Sequence, residues 1–132
     1  MTESKSKSIR MILWFALLMS NIMMAGIAFN IIFPKATGSL ANALPIFASI
    51  AIVIAFVSKF LYGKARGIIS DNSLSTHEKH TKSFVLFILS WAIGESISIL
   101  GLIYGMMGPT DMVHYGYYFF AIGIGLHLTN RP

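Results

Sequence analysis

The stretch SFVLFILSWAIGESISILGLIYGMM, from Ser83 to Met107, decides how this chain folds. It is apolar along its length and carries one charge, Glu95, with twelve residues of the run on either side. About twenty such residues are enough for a helix to cross the ~30 Å hydrocarbon core of a bilayer. Similar runs occur at Met11–Phe33, ended by Pro34, at Ala43–Tyr62, and in shorter form at Met112–Leu128. Over the whole chain 55% of residues are hydrophobic and only 11% charged, with a mean hydropathy of +0.71. A soluble domain carries about 25% charged residues. The pattern predicts an all-α integral membrane protein with four transmembrane helices, a single membrane domain over residues 1–132.

The connections set the topology. Pro34–Asn42 and Gly108–Asp111 are short, so the helices they join should return as two antiparallel hairpins. Residues 63–82 are polar, with Lys64, Arg66, Asp71, His77, Glu78, Lys79, His80 and Lys82. They are expected outside the bilayer as a loop, with a helical turn in Thr76–Ser83. Lys5, Lys7 and Arg10 precede the first helix, Lys59 to Lys82 surround the central loop, and Arg131 follows the last helix. The first short loop holds only Lys35 and the last holds no basic residue. Positive residues stay on the cytoplasmic side, so both termini and the 63–82 loop are expected in the cytoplasm. Trp14 and Tyr62, and Tyr115, Tyr117 and Tyr118 at the other end, suit the two interfaces. A basic start before an apolar run also resembles a signal peptide, but the run of Met11–Phe33 exceeds the usual ~7–15 residues, which favours a retained helix. The expected location is the cell membrane, multi-pass, as for a bacterial inner-membrane protein.

The net charge of +5 lies at helix ends, where it sets orientation; nucleic-acid binding would need a basic patch on a folded surface. The absence of cysteine excludes disulfides and thiol chemistry.

Small residues draw one stripe along the third helix: Ser83, Ser90, Gly94, Ser98, Gly101 and Gly105. Gly101 and Gly105 form a GxxxG pair, which lets another backbone come close. The second helix offers Ala48, Ala51 and Ala55 with Ser58, and the fourth Gly116, Ala121, Gly123 and Gly125. Packing of helix two against helix three through these stripes is the expected pairing, because lipid is as apolar as leucine and close contact must hold the helices together.

Glu95 borders that stripe. A carboxylate at the bilayer centre costs about 2.5–3.5 kcal/mol on insertion scales and is a functional-site candidate by default. No lysine, arginine or histidine is expected at its depth. Ser98, three residues on, and Asn21, near the middle of the first helix, are the polar side chains able to hydrogen-bond it. A carboxyl in such surroundings is expected to be protonated at neutral pH unless a cation approaches.

The run Ala92-Ile-Gly-Glu95-Ser-Ile-Ser-Ile-Leu-Gly101-Leu-Ile-Tyr-Gly105 resembles the ion-binding helix of rotary ATPase proteolipid (c-type) subunits, in which an acidic residue is followed about six residues later by a Gly-Leu step. In that family the acid binds the transported ion and copies of the subunit form a ring. The resemblance implies that Glu95 carries H+ or Na+, with Ser96 and Ser98 as possible supporting ligands, and that the chain assembles as a homo-oligomer. The order helix two, polar loop, helix three agrees with the family's hairpin. The glycine-rich first helix of that hairpin does not, since Ala43–Tyr62 has no glycine. The alternative is an accessory or assembly subunit of a membrane complex, in which Glu95 pairs with a basic residue on a partner's helix.

No enzymatic site is expected. His77-Glu78-Lys79-His80 lacks the i, i+4 histidine spacing of a zinc HExxH helix. Asp111, His114 and Tyr115 lie near one another without a nucleophile. The methionines, such as Met19, Met23 and Met24, suit flexible apolar packing better than soft-metal ligation. Neither a metal nor a cofactor is expected.

Overall fold

The computed structural model describes residues 2–35, 38, 41–108 and 113–132. Four α-helices follow in order: α1 over Glu3–Ile27, α2 over Leu44–Ser70, α3 over Thr76–Met107 and α4 over His114–Thr129. A π-helical turn, Ala28–Ile32, extends α1, followed by a 3-10 turn at Phe33–Lys35, and a second 3-10 turn, Ala41–Ala43, leads into α2. There is no strand among the described residues. The helix with its extension from Glu3 to Ile32, α2 and α3 are each long and apolar enough to cross a membrane. At 16 residues, α4 spans about 24 Å, short of a ~30 Å core. The expected start of the fourth helix at Met112 lies outside the described residues.

The polar segment 63–82 is not a loop. α2 continues to Ser70 and α3 begins at Thr76, leaving a turn at 71–75. Once a helix is nucleated in the apolar segment, each further residue adds a hydrogen bond at low cost, so the ladder runs on past the apolar boundary. The ends are then fixed locally. Ser75 Oγ accepts from the Glu78 amide (3.2 Å) and Glu78 Oε2 accepts from the Ser75 amide (2.8 Å), a full capping box. Asp71 Oδ1 accepts from both the hydroxyl (2.6 Å) and the amide (2.9 Å) of Ser73. Those hydrogen bonds hold the Asp71 carboxyl below its ordinary pKa. α1 likewise begins at Glu3, well before Met11, with the Thr2 hydroxyl accepting from the Lys5 amide.

α3 is the hub of the bundle, packed on α2, α4 and α1. Its small-residue stripe is buried at all six positions, but the expected pairing holds only in part. Ser58 and Ser90 join α2 to α3, and Gly94 lies against Ser58 and Leu126. The GxxxG pair faces elsewhere. A Cβ on Gly101 would lie 2.9 Å from the Gly116 carbonyl oxygen, and one on Gly116 would lie 2.9 Å from the Gly101 oxygen. The two backbones of α3 and α4 thus touch, which only glycine permits. Gly105 receives the ring of Phe33, which also presses on Gly116 and is 2% exposed. The partner of GxxxG is therefore α4 together with the end of α1. Of the alanine stripe on α2, Ala51 is buried with Ile97, Tyr104 and Phe119, whereas Ala48 and Ala55 are half-buried. The first helix packs chiefly on α3 and α4 rather than on α2, because its buried stripe (Arg10, Trp14, Leu18, Asn21, Ala25, Ala28) meets those two helices. The widened turn at Ala28–Ile32 swings Phe29 onto α4, 4.5 Å from the Tyr117 ring centroid and 5.3 Å from that of Phe120.

Candidate functional site

Glu95 lies on the flank of α3, half-buried. On that flank, Trp91, one turn before it, shares a buried cluster with Trp14 and Leu18, and Leu102, two turns after it, packs against a cluster that holds Ala25, Ala28 and Phe120. Its nearest neighbours on the flank thus join clusters to which α1 contributes. Twelve residues separate it from each end of the Ser83–Met107 run, about 18 Å along the axis in either direction. Its carboxylate has no ion pair or hydrogen bond among the described residues.

Contacts at both ends of α1 fix its register on α3. Ser6 Oγ meets His80 Nδ1 at 2.7 Å at one end, and Phe33 meets Gly105 at the other. The helices run parallel. Asn21 is fifteen residues beyond Ser6, as Glu95 is beyond His80. Counted back from the other contact, Asn21 falls opposite Ile93. Counted this way, Asn21 falls along the axis between Ile93 and Glu95, an axial offset of about 3 Å at most from the carboxyl-bearing residue. Asn21 is 0% exposed, and neither its amide nitrogen nor its amide oxygen has a partner. Ser98 is also fully buried, its hydroxyl unpartnered and pressed against Gly123 of α4. Leaving such groups unmade costs about 1–3 kcal/mol each. Asn21, Glu95 and Ser98 thus fall within about two turns of the middle of the bundle, Asn21 and Ser98 buried, and none is hydrogen-bonded to another.

Among the described residues, no lysine or arginine is buried at this level. Arg10, 5% exposed, is eleven residues before Asn21 and about 16 Å away along α1. It donates to Ser6 Oγ at 2.6 Å and sits over the Phe87 ring.

A second polar layer, not anticipated from the sequence, closes the other half of the bundle. Trp14 Nε1 donates to the His127 carbonyl (2.9 Å), and His127 Nε2 lies 2.8 Å from the Trp14 carbonyl. A carbonyl only accepts, so Nε2 carries the proton. The rings of Trp14 and His127 stack at 5.5 Å. Trp91 Nε1 donates to the Asn130 carbonyl (2.8 Å). The Asn130 amide donates to Ser58 Oγ (3.1 Å) and Ser90 Oγ (3.4 Å), and each serine donates to the other's backbone oxygen at 2.8 Å. The last turn of α4 is thereby tied to α1, α2 and α3 together. The signal available in the sequence was weak: His127 and Asn130 stand at the end of an apolar run, where polar residues usually face water.

The remaining candidates take structural roles. Glu78 caps α3 and His80 binds Ser6. His114 packs on Tyr115, ring centroids 4.2 Å apart, and Asp111 lies outside the described residues. No group of three histidine or acidic residues with metal-binding spacing occurs among the described residues. No protein-family model matches the chain, and neither a curated protein nor a solved structure does.

Proposed function

We propose that this chain is a multi-pass membrane protein that binds H+, or less readily Na+, at the level of Glu95. In this reading the three long helices and α4 form four spans, with both termini and the 71–75 turn in the cytoplasm. The observation that carries it is Asn21: a fully buried amide with neither atom bonded, at the depth of the one acidic residue in the apolar stretch. Unpartnered polar groups in hydrocarbon are costly, and a site that takes up a proton or cation gives them a use. Glu95 would hold the charge, while Ser98 and the Asn21 oxygen would complete the shell. The resemblance of Ala92–Gly105 to the c-type proteolipid helix supports the same role and an assembly of several copies.

Carbodiimide labelling of the detergent-solubilised protein across pH tests this. A neutral carboxyl in an apolar site should react selectively at Glu95, with protection on raising pH or adding sodium. Failure to react at every pH would remove the ion site. In liposomes, Glu95→Gln should abolish ion coupling while leaving particle size and melting temperature unchanged.

A second reading draws on the half-exposure of Glu95. A carboxylate on the outer flank of a bundle could pair with a lysine or arginine on a partner helix, making this chain an assembly subunit. Under that reading Glu95→Gln lowers recovery of the complex and leaves carbodiimide labelling of the free chain insensitive to sodium.

A further inference from the structure

A groove on the far side of the bundle from Glu95 is independent of that chemistry. Between α2 and α4 lies a cavity of about 380 Å³ with an alanine floor, Ala48, Ala51 and Ala55, walled by Tyr118, Phe119 and Ile122. A second, shallower depression shares Ile52 and Ala55 with it and is otherwise lined by Phe56 and Lys59. Taken together the two follow α2 and have one charged end.

We infer that this groove holds one acyl chain of an anionic phospholipid whose phosphate meets Lys59. Shape is the first argument. The cavity of about 380 Å³ is drawn out over Leu44–Ala55, about 16 Å of helix. The trough is long and narrow and lined by apolar surface, which suits a single hydrocarbon chain. Length is the second. From Lys59 back to Ala48 is about 16 Å along α2, and one leaflet of a ~30 Å core is about 15 Å deep. A chain hung from a headgroup at Lys59 reaches the alanine floor.

Charge complementarity selects the headgroup. Lys59, Lys64 and Arg66 fall within eight residues of α2, and the next acidic residue in the chain is Asp71. Lys59 is exposed and donates one hydrogen bond, to Thr129 Oγ1 at 2.8 Å. An ammonium has three donors, so two remain for phosphate oxygens. Tyr62 anchors this end by donating to the Arg131 carbonyl at 2.6 Å. A shared interface for a second copy is less suited, because the groove carries bulky exposed side chains such as Ile52 (58%) and Phe56 (74%), whereas helix pairing favours small ones.

The test is native mass spectrometry of the full chain, stripped of lipid and titrated with phosphatidylglycerol or phosphatidylcholine of identical acyl chains. A one-lipid adduct should form, with about a five-fold preference for phosphatidylglycerol, the factor expected of one basic residue at an anionic surface. Lys59→Gln should bring the two lipids level without removing the adduct. Ala55→Phe should fill the groove and remove adducts of both lipids; Ile122→Trp, from the opposite wall, does the same if the first variant fails to fold. Equal occupancy by both lipids in the native chain overturns the headgroup assignment. Adducts that persist in both groove variants, or a dimer that those variants abolish, overturn the acyl-chain site.

Discussion

The two polar layers of this bundle differ in one respect. In the layer around His127 and Asn130, every buried polar side chain makes at least one hydrogen bond to another helix. In the layer around Glu95, Asn21 and Ser98 make none. Both layers lie in the interior of an apolar bundle, where an unpaired polar group is expensive. The first therefore has the character of a fastening and the second of a site kept open. A protein that needed only to hold its helices together would gain by replacing Asn21 with leucine.

The contrast can be broken at several points. The largest effect should come from Gly101→Val, whose side chain meets Phe119 Cβ at 2.6 Å and the Gly116 oxygen at 2.9 Å. Separating α3 from α4 disturbs both layers, and overpacking of this kind costs about 3 kcal/mol; thermal unfolding in detergent should show it. Asn130→Leu comes next. It removes the hydrogen bonds to Ser58 and Ser90, and at up to ~1.7 kcal/mol for an interhelical bond in a membrane the loss should be about 2 kcal/mol. Asn21→Leu should go the other way, raising stability by about 1 kcal/mol because an unmade amide is removed, while ion coupling through Glu95 weakens. A loss of stability on Asn21→Leu would show that the amide is paired after all and would erase the distinction between the layers. The smallest effect is expected at Gly125, where an added methyl meets nothing within 4 Å. Gly125→Ala should stay within about 0.5 kcal/mol of the parent, against about 1 kcal/mol lost for Gly123→Ala, whose methyl would strike Ser98.

Much of the middle of the molecule was legible in the sequence. The six small residues of α3 are all buried, as their spacing on one face requires. Asn21 and Ser98 are both buried without a hydrogen-bond partner, while Glu95 is half-buried on the flank of α3. The helical extensions beyond the apolar runs were missed, because the polarity of residues 63–82 reads as a loop; the Ser75-Thr-His-Glu78 capping pattern marks only the start of α3. What could not be read was rotation. A stripe of small residues says that some backbone comes close, and α2 and α4 both offered partners. The choice of α4 for Gly101 follows from Gly116 standing opposite it with no side chain, a fact of register between two helices. The same holds for Asn130, whose partners Ser58 and Ser90 are 72 and 40 residues away in the chain.

The order of residues alone determined that this chain is helical and suited to a bilayer, with a single acid midway along its longest apolar run. Lipid offers backbone amides no partner outside their own helix, so composition and length suffice for that. Which polar groups bond and which stay open was decided only by tertiary packing. Hydrogen bonds act over about 3 Å, and a shift of one residue between helices moves side chains by 1.5 Å and turns them about 100°.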